Sequence, residues 1–558
     1  MGAVTVGLAL ACLVVPSLSS ADENPIERSE YGHLSGGLTH LFALGGGGVG
    51  GGSLPKSTCT STGDPTANIR LNCDSDTSPD NETPITTDPT NPNHLLAGSN
   101  DYFITQKGSI VQERVPTGFF TSFDGGHTWT DGQIPMGNGS SGGNGDPSPA
   151  FDAKFGTAHM AQLSAAFPLN APNAGHIDVS VSTSYDGGLT WKPPVTVDIG
   201  QASISPSATG VFLDKEWLVA DNNPSSPHYG RLYLSWDRIE FSKGAFLRSP
   251  VDFAYSDDAG KSWSHPIDIS GSNPTFCTAN QGPAEPPGAC DESFFSYGAV
   301  EPNGDVVVGF INQQHAAAWE VPNEFENQIM VVRSTDGGVH WSNPVHVADL
   351  EDGGLESITF SDYPSNVDVR ATQTGFQFRT GSWGNLGLDP VTGKVYVVWT
   401  DNSDGAHDVS NPVTDTNVFM SVSSDEGATW SAPIRVTSGP TDKWFPWVAA
   451  RASEVAVLYQ EEAGTGLYVT NLATSTNDGA SWSYQTVSNA VSDADHSVWF
   501  QAHAPDCATC SRFIGDYIGA AFDTLGRIHM TWTDMRRDLS IPALGRTGKA
   551  EDDMYAQR

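Results

Sequence analysis

The sequence predicts an all-β protein assembled from one repeated unit, and three observations carry that prediction. The phrase Ser-x-Asp-x-Gly-x-Thr-Trp, with local variation, occurs six times: Ser122–Trp129, Ser184–Trp191, Ser256–Trp263, Ser334–Trp341, Ser423–Trp430 and Ser475–Trp482. An apolar strand, a turn and a second strand precede each copy, and a seventh such pair follows the last copy. Gly, Pro and aromatic residues are plentiful, and no long stretch carries a helical period. A motif that recurs every few dozen residues marks a repeat architecture.

Each phrase reads as a self-contained hairpin turn. The acid or amide at its third position (Asp124, Asp186, Asp258, Asp336, Asp425 and Asn477) is placed to accept from backbone amides, while Gly takes a positive φ. The Trp then covers the turn, and its indole N–H finds a carbonyl. Turn chemistry uses every conserved-looking piece of the phrase, so these residues read as structural. The phrase is the Asp-box, or bacterial neuraminidase repeat. From about Glu82 to Arg558 the chain resembles the sialidase-like family of β-propellers. That resemblance implies a single propeller of four-stranded antiparallel blades. It is specific for fold and weak for function, because Asp-boxes also occur in sortilin-type receptors and in polysaccharide-degrading enzymes.

In chain order, residues 1–21 read as a signal peptide, an apolar run ending in small residues, with an atypical start that lacks Lys or Arg. Residues 22–65, with Gly45–Gly48 and Gly50–Gly52, read as a Gly-rich disordered linker, and fixed structure is expected only from about Thr66. Six cysteines remain after the leader. Local pairs Cys59–Cys73, Cys277–Cys290 and Cys507–Cys510 are expected as disulfides in loops, which fits a secreted or extracellular protein. The propeller is expected over residues 66–558.

The hairpins run Ile85 to Asp101, Pro149 to Leu163, Trp217 to Asp237, Tyr297 to Phe310, Asn385 to Asp401, Trp447 to Gln460 and Tyr517 to Asp534. Seven hairpins against six turns predict seven blades. The last unit continues through Asp553–Gln557 and then the chain stops, so its fourth strand must come from elsewhere. Asn68–Asn72 is the candidate, and it would close the ring and remove exposed edges. The alternative is a six-bladed sialidase fold with one appended hairpin.

Acidic residues outnumber basic ones 65 to 27, a formal net charge of −38. Nucleic acid and anionic membrane are thereby poor partners. No stretch beyond the leader is long and apolar enough to span a bilayer, and a monomer is expected. In a propeller the second strands end on the face that carries the inter-blade loops. Carboxylates or polar groups stand there at Asp101, Asp237, Asn312, Asp401, Glu461 and Asp534. The loops entering the first strands bring Asp214-Lys215-Glu216-Trp217, Asp291-Glu292, Trp383, Lys443-Trp444 and Asp516-Tyr517. An acidic mouth lined with aromatics suits carbohydrate, and paired carboxylates suit acid–base cleavage of a glycosidic bond.

The candidate catalytic residues are therefore Asp237, Asp401, Glu461, Asp516, Tyr517 and Asp534. The candidate substrate-binding residues are Arg238, Arg536, Trp217, Trp383 and Trp444. The sialidase resemblance implies three arginines on the substrate carboxylate, a Tyr–Glu nucleophile pair and an Asp acid/base. Where the family carries its first arginine this chain reads Glu82-Thr-Pro-Ile, and Arg114-Val-Pro116 lies in a different strand. Tyr517 and Glu461 stand as the candidate nucleophile pair. No cofactor is required by this reading. Ca²⁺ is the candidate ion, at the oxygen-rich loops Asp401–Asp408 and Asp74–Asp80. The expected function is a secreted sialidase-like glycoside hydrolase acting on extracellular glycans. The alternatives are a non-catalytic propeller that binds glycan or protein, and a polysaccharide lyase on the same scaffold.

Overall fold

Seven antiparallel sheets, each with a four-stranded core, form a seven-bladed β-propeller. The computed structural model describes residues 58–73, 77–107, 110–136, 145–166, 176–201, 210–242, 245–278, 288–314, 327–350, 378, 380–401, 403, 416–498, 513–542 and 545–558. The innermost strands are Ile85–Asp88, Ser148–Asp152, Gly210–Ala220, Ser293–Val300, Trp383–Leu388, Lys443–Arg451 and Gly519–Phe522. Each touches the innermost strand of the next blade, and the last touches the first, so the ring is closed.

The second strands explain the core. Val306–Asn312, Val395–Asp401 and Ile528–Asp534 are buried at every residue. A strand sandwiched between neighbouring blades has no solvent face, which is why these segments read as near-continuous apolar runs. Trp236, Trp399, Trp444 and Trp532 are fully buried among them. Burial of such side chains contributes about 1.5–3 kcal/mol each.

Six blades join their third and fourth strands through the Ser-x-Asp phrase. In the second blade the Ser184 hydroxyl donates to Asp186 Oδ1 (2.8 Å) and accepts from Gly188 N (2.8 Å). Asp186 Oδ1 also accepts from Thr190 N (2.8 Å), and Trp191 Nε1 donates to the Gly188 carbonyl (3.1 Å). The other turns repeat the Ser-to-acid bond, with Asn477 serving the sixth.

The seventh blade takes its outer strand from the other end of the chain. Ile69–Arg70 pairs antiparallel with Asp552–Gln557, Ile69 facing Tyr555 and Arg70 facing Met554. The chain break falls where a seventh turn would stand, which accounts for six phrases in seven blades. Fixed structure starts earlier than the expected Thr66. Strand Cys59–Thr62 runs along the outer edge of the first blade against Thr128–Gln133. The Cys59–Cys73 disulfide fastens that strand, so Cys59 lies in a strand and not in a loop. Cys277–Cys290 is the second disulfide. The leader, the Gly-rich run to residue 57, Cys507, Cys510, Asp74, Asp76, Asp404 and Asp408 lie outside the described residues. Among the described residues no helix is long and apolar enough to cross a membrane.

Candidate active site at the channel mouth

Strand alternation decides which face carries the inter-blade loops. Every first strand begins, and every second strand ends, on one face. The Ser-x-Asp turns follow third strands and therefore stand on the other face. On the first face the innermost strands share a kink. Glu82 (φ 56°), Asp146 (φ 51°), Lys215 (φ 52°), Phe295 (φ 56°) and Phe445 (φ 50°) all adopt the left-handed region there. The ladder slips at the same place in four blades, between Asp214 and Trp217, Phe294 and Tyr297, Trp383 and Leu386, and Trp444 and Trp447. Such bulges re-aim side chains, and non-Gly residues with positive φ concentrate at functional sites.

The kinks bring one ammonium and several carboxylates from different blades together. Lys215 Nζ lies 3.1 Å from Glu82 Oε1, 3.2 Å from Asp146 Oδ2 and 2.9 Å from Asp516 Oδ2. It also lies over the rings of Phe295 (5.5 Å) and Tyr517 (5.3 Å). Asn100 joins the acids, donating to Glu82 Oε2 (2.8 Å) and accepting from Asp146 N (2.8 Å). Asp516 N donates to Glu82 Oε1 (3.1 Å). Asp237 faces Asp214 across the ladder and accepts from Phe295 N (2.8 Å). Glu216 is buried with neither carboxylate oxygen hydrogen-bonded. Below the charges lies an aromatic layer: Trp217 is 4.9 Å from Tyr297 and 5.3 Å from Trp447, and Tyr517 is 6.1 Å from Trp447.

One ammonium cannot neutralise this many acids, so protons must be shared. Burial, then the neighbouring Asp146, push Glu82 up to about 8. Burial pushes Asp146 up to about 6 against the pull of Lys215. Burial also holds Glu216 and Asp237 well above the ordinary carboxylate range. For Lys215 burial pulls downward, but the surrounding carboxylates more than offset it and keep the ammonium charged. A proton donor and a proton acceptor thus stand side by side near neutral pH.

Of the residues singled out from sequence, Asp237, Asp516, Tyr517, Trp217 and Trp383 belong to this cluster or its aromatic layer. Trp383 Nε1 donates to the Phe295 carbonyl (2.7 Å), and Tyr517 OH to the Pro147 carbonyl (3.3 Å). The others are engaged elsewhere. Asp401 accepts from Trp399 Nε1 (2.8 Å). Asp534 accepts from Trp532 Nε1 (3.0 Å) and bidentately from Arg536 (2.6 Å to each oxygen). Arg536 reaches on to Asn68 at the ring closure (3.0 Å). Arg238 sits among Glu240 (2.9 Å), Asp198 (3.3 Å) and Asp252 (3.7 Å). Trp444, fully buried, donates to Gln460 Oε1 (2.8 Å). Glu461 is held by Thr441 (2.6 Å) and Asn471, so it shares no partner with Tyr517.

Glu82 and Asp146 were missed as site residues, although each stands one or two positions before a Pro at the start of a first strand. Among the described residues, Lys215 is the cation paired with this group of acids. Its ammonium stands at the centre of the oxygen cage, where a hard cation would otherwise be held. One further set of metal-type side chains, Cys59, Cys73 and Asp131, converges at the first blade. Its two sulfurs are joined in a disulfide and offer no thiolate.

No known protein-family profile matches the chain. Over 172 residues it is 31% identical to a sialidase of Micromonospora viridifaciens, a stretch that covers 28% of this chain and 23% of that protein. Similar solved structures include a Hadza microbial sialidase (16% identity, 74% of this chain and 66% of that one, TM-score 0.39). They also include a leech intramolecular trans-sialidase (10%, 90% and 93%, TM-score 0.40) and an ulvan lyase of polysaccharide lyase family PL25 (9%, 85% and 94%, TM-score 0.44).

Proposed function

We propose that this protein is a glycan-active enzyme, a glycoside hydrolase whose working groups are the carboxylates around Lys215. The observation that carries the reading is the convergence of Glu82, Asp146 and Asp516 on one buried ammonium, with Glu82 still protonated near neutrality. Glu82 supplies the proton to the leaving glycosidic oxygen. Asp516, 2.9 Å from the Lys215 ammonium, acts as base or nucleophile on the anomeric side. Trp217, partly exposed, offers a ring face to a sugar. The partial identity with a sialidase supports a glycan as substrate. The finer sialidase reading requires a cationic clamp on the substrate carboxylate. Lys215 is already committed to three acids, so the geometry favours a glycoside without an anionic group at the cleaved residue.

A second reading, a non-catalytic propeller that binds glycan or protein, is favoured by one observation: the cluster is nearly closed to solvent, with Asp516 8% and Lys215 5% exposed. Hydrolysis of a panel of fluorogenic neutral glycosides and a sialoside separates the two. Turnover of a neutral glycoside, reduced at least about 100-fold in Glu82→Gln and Asp516→Asn, supports the enzyme. A folded protein that binds glycan and turns over nothing on the panel supports the binder.

A further inference from the structure

Asn100 links the two buried acids of the mouth, Glu82 and Asp146. It is 0% exposed and lies in the second strand of the first blade, Asn91–Asp101. Chemistry fixes its orientation. The Asp146 backbone N–H can only donate, so the Asn100 atom 2.8 Å from it is the carbonyl Oδ1. The amide nitrogen therefore points the other way. It donates to Glu82 Oε2 (2.8 Å) and to Asn81 Oδ1 (3.2 Å), which uses both of its hydrogens. Asn81 is anchored in turn, donating from Nδ2 to Glu551 Oε1 (2.7 Å). The approach of the Asp146 amide depends on Gly145, at φ 123°, because a Cβ there would lie 2.8 Å from Asn100 Oδ1.

The two oxygens of Glu82 are then unlike. Oε1 accepts from Asp516 N (3.1 Å) and from the Lys215 ammonium (3.1 Å). Two donors fill the two lone-pair sites of that oxygen. Among the described residues Oε2 meets one donor, the Asn100 amide, and keeps one site. A neutral Glu82 carries its proton at that site.

We propose that Asn100 is a positioning residue of the channel mouth, holding the Glu82 carboxyl so that its proton rides on Oε2 and leaves from there. The catalytic meaning rests on the reading of Glu82 as the proton donor, whereas the place of the proton does not. On transfer the Oε2–H bond breaks and its electron pair stays on Oε2. The proton passes to the leaving glycosidic oxygen, and the Asn100 N–H bonds more strongly to the new carboxylate. Asn100 thereby makes Glu82 a readier donor than burial alone would. The titratable groups that act on Glu82 are Asp146, Lys215, Asp516, Tyr297 and Tyr517. A change at Asn100 leaves all of them in the chain.

The test compares the full wild-type chain with Asn100→Leu, which keeps the branching and removes the donor. Two readouts are followed from pH 5 to about 10. One is the thermal midpoint, whose fall marks the loss of the Glu82 proton, near 8 in the wild type. The other is the upper limb of kcat/KM on the best neutral fluorogenic glycoside. Both should move upward by about one to two pH units. A purely structural Asn100 would lower the midpoint at every pH and leave both steps in place, and that result would overturn the proposal. If Asn100→Leu does not fold, Asn100→Asp, which keeps an acceptor for the Asp146 amide, must show the same upward move. A displaced midpoint step with no glycoside turned over would support the proton on Oε2 and sink the enzyme reading alone.

Discussion

At the scale of single residues the channel mouth is governed by one imbalance. Among the described residues Lys215 is the cation paired with these acids, and they keep it protonated. Removing it leaves carboxylates buried without a counter-charge. We expect Lys215→Met to cost about 3–5 kcal/mol, read as a lowered midpoint in denaturant unfolding. The pH dependence follows with a definite sign. The folded state raises Glu82 from 4.5 to about 8, so between those values it binds a proton that the unfolded chain releases. The contribution is full below about 4.5 and is lost as pH rises through about 8. Thermal midpoints should therefore fall from pH 5 toward pH 8, and Glu82→Gln should flatten that fall. A midpoint that climbs over this range in the wild type would contradict the account. These residues were hard to read in the sequence for a physical reason. Asp146 and Glu82 look like ordinary turn acids, and only the left-handed kink, which neither Glu nor a single Asp announces on its own, turns them inward.

At the scale of elements the six turns show the opposite case. Their chemistry is local, so it was legible from eight residues at a time. Ser and the acid or amide bond within all six turns. Trp129, Trp191, Trp341 and Trp430 do too, whereas the Trp263 and Trp482 indoles find no partner among the described residues. The second glycine of the fourth turn tests this most sharply. Gly338 adopts φ 89°, and a Cβ there would sit 2.5 Å from Phe253 Cε1. Gly338→Ala should destabilise by about 1–3 kcal/mol through strain and overpacking. In the third turn Ala259 already occupies the left-handed region at φ 60°, so Ala259→Gly should be neutral or slightly stabilising. Paired urea titrations of the two variants would show whether backbone conformation sets turn stability. Equal losses from both would argue against it. The first strands, by contrast, concealed their bulges. Their apolar runs predicted strands, but a slip of the ladder depends on the neighbouring blade and leaves no local mark.

At the scale of the molecule the decisive fact is ring closure by the N-terminal strand. Counting seven hairpins against six turns made that closure legible, and Ile69–Arg70 paired with Asp552–Gln557 realises it. Hidden from the sequence was the extra strand Cys59–Thr62, a short polar stretch whose place depends on Cys73 and on the first blade's edge. Breaking that disulfide with Cys59→Ser should cost about 3 kcal/mol for a loop of this length, measured against the wild type in the same oxidising buffer. A Cys59→Ser variant as stable as the wild type would contradict it. Among the sequence-picked site residues, Trp217, Trp383, Asp516 and Tyr517 at or just before first strands and Asp237 near the end of a second strand converged, whereas Trp444, Asp401, Glu461 and Asp534 turned to neighbours in their own blades. Position along a strand shows which face a residue stands on, but not whether its side chain reaches the channel.

The proposed acid–base pair among the carboxylates around Lys215 is tested most directly by the pH profile of hydrolysis. With the best neutral fluorogenic glycoside, kcat/KM should fall along an upper limb near 8, as Glu82 loses its proton. Glu82→Gln should abolish the upper limb and most of the activity while the protein stays folded. Hydrolysis with an unchanged upper limb in Glu82→Gln would contradict the account.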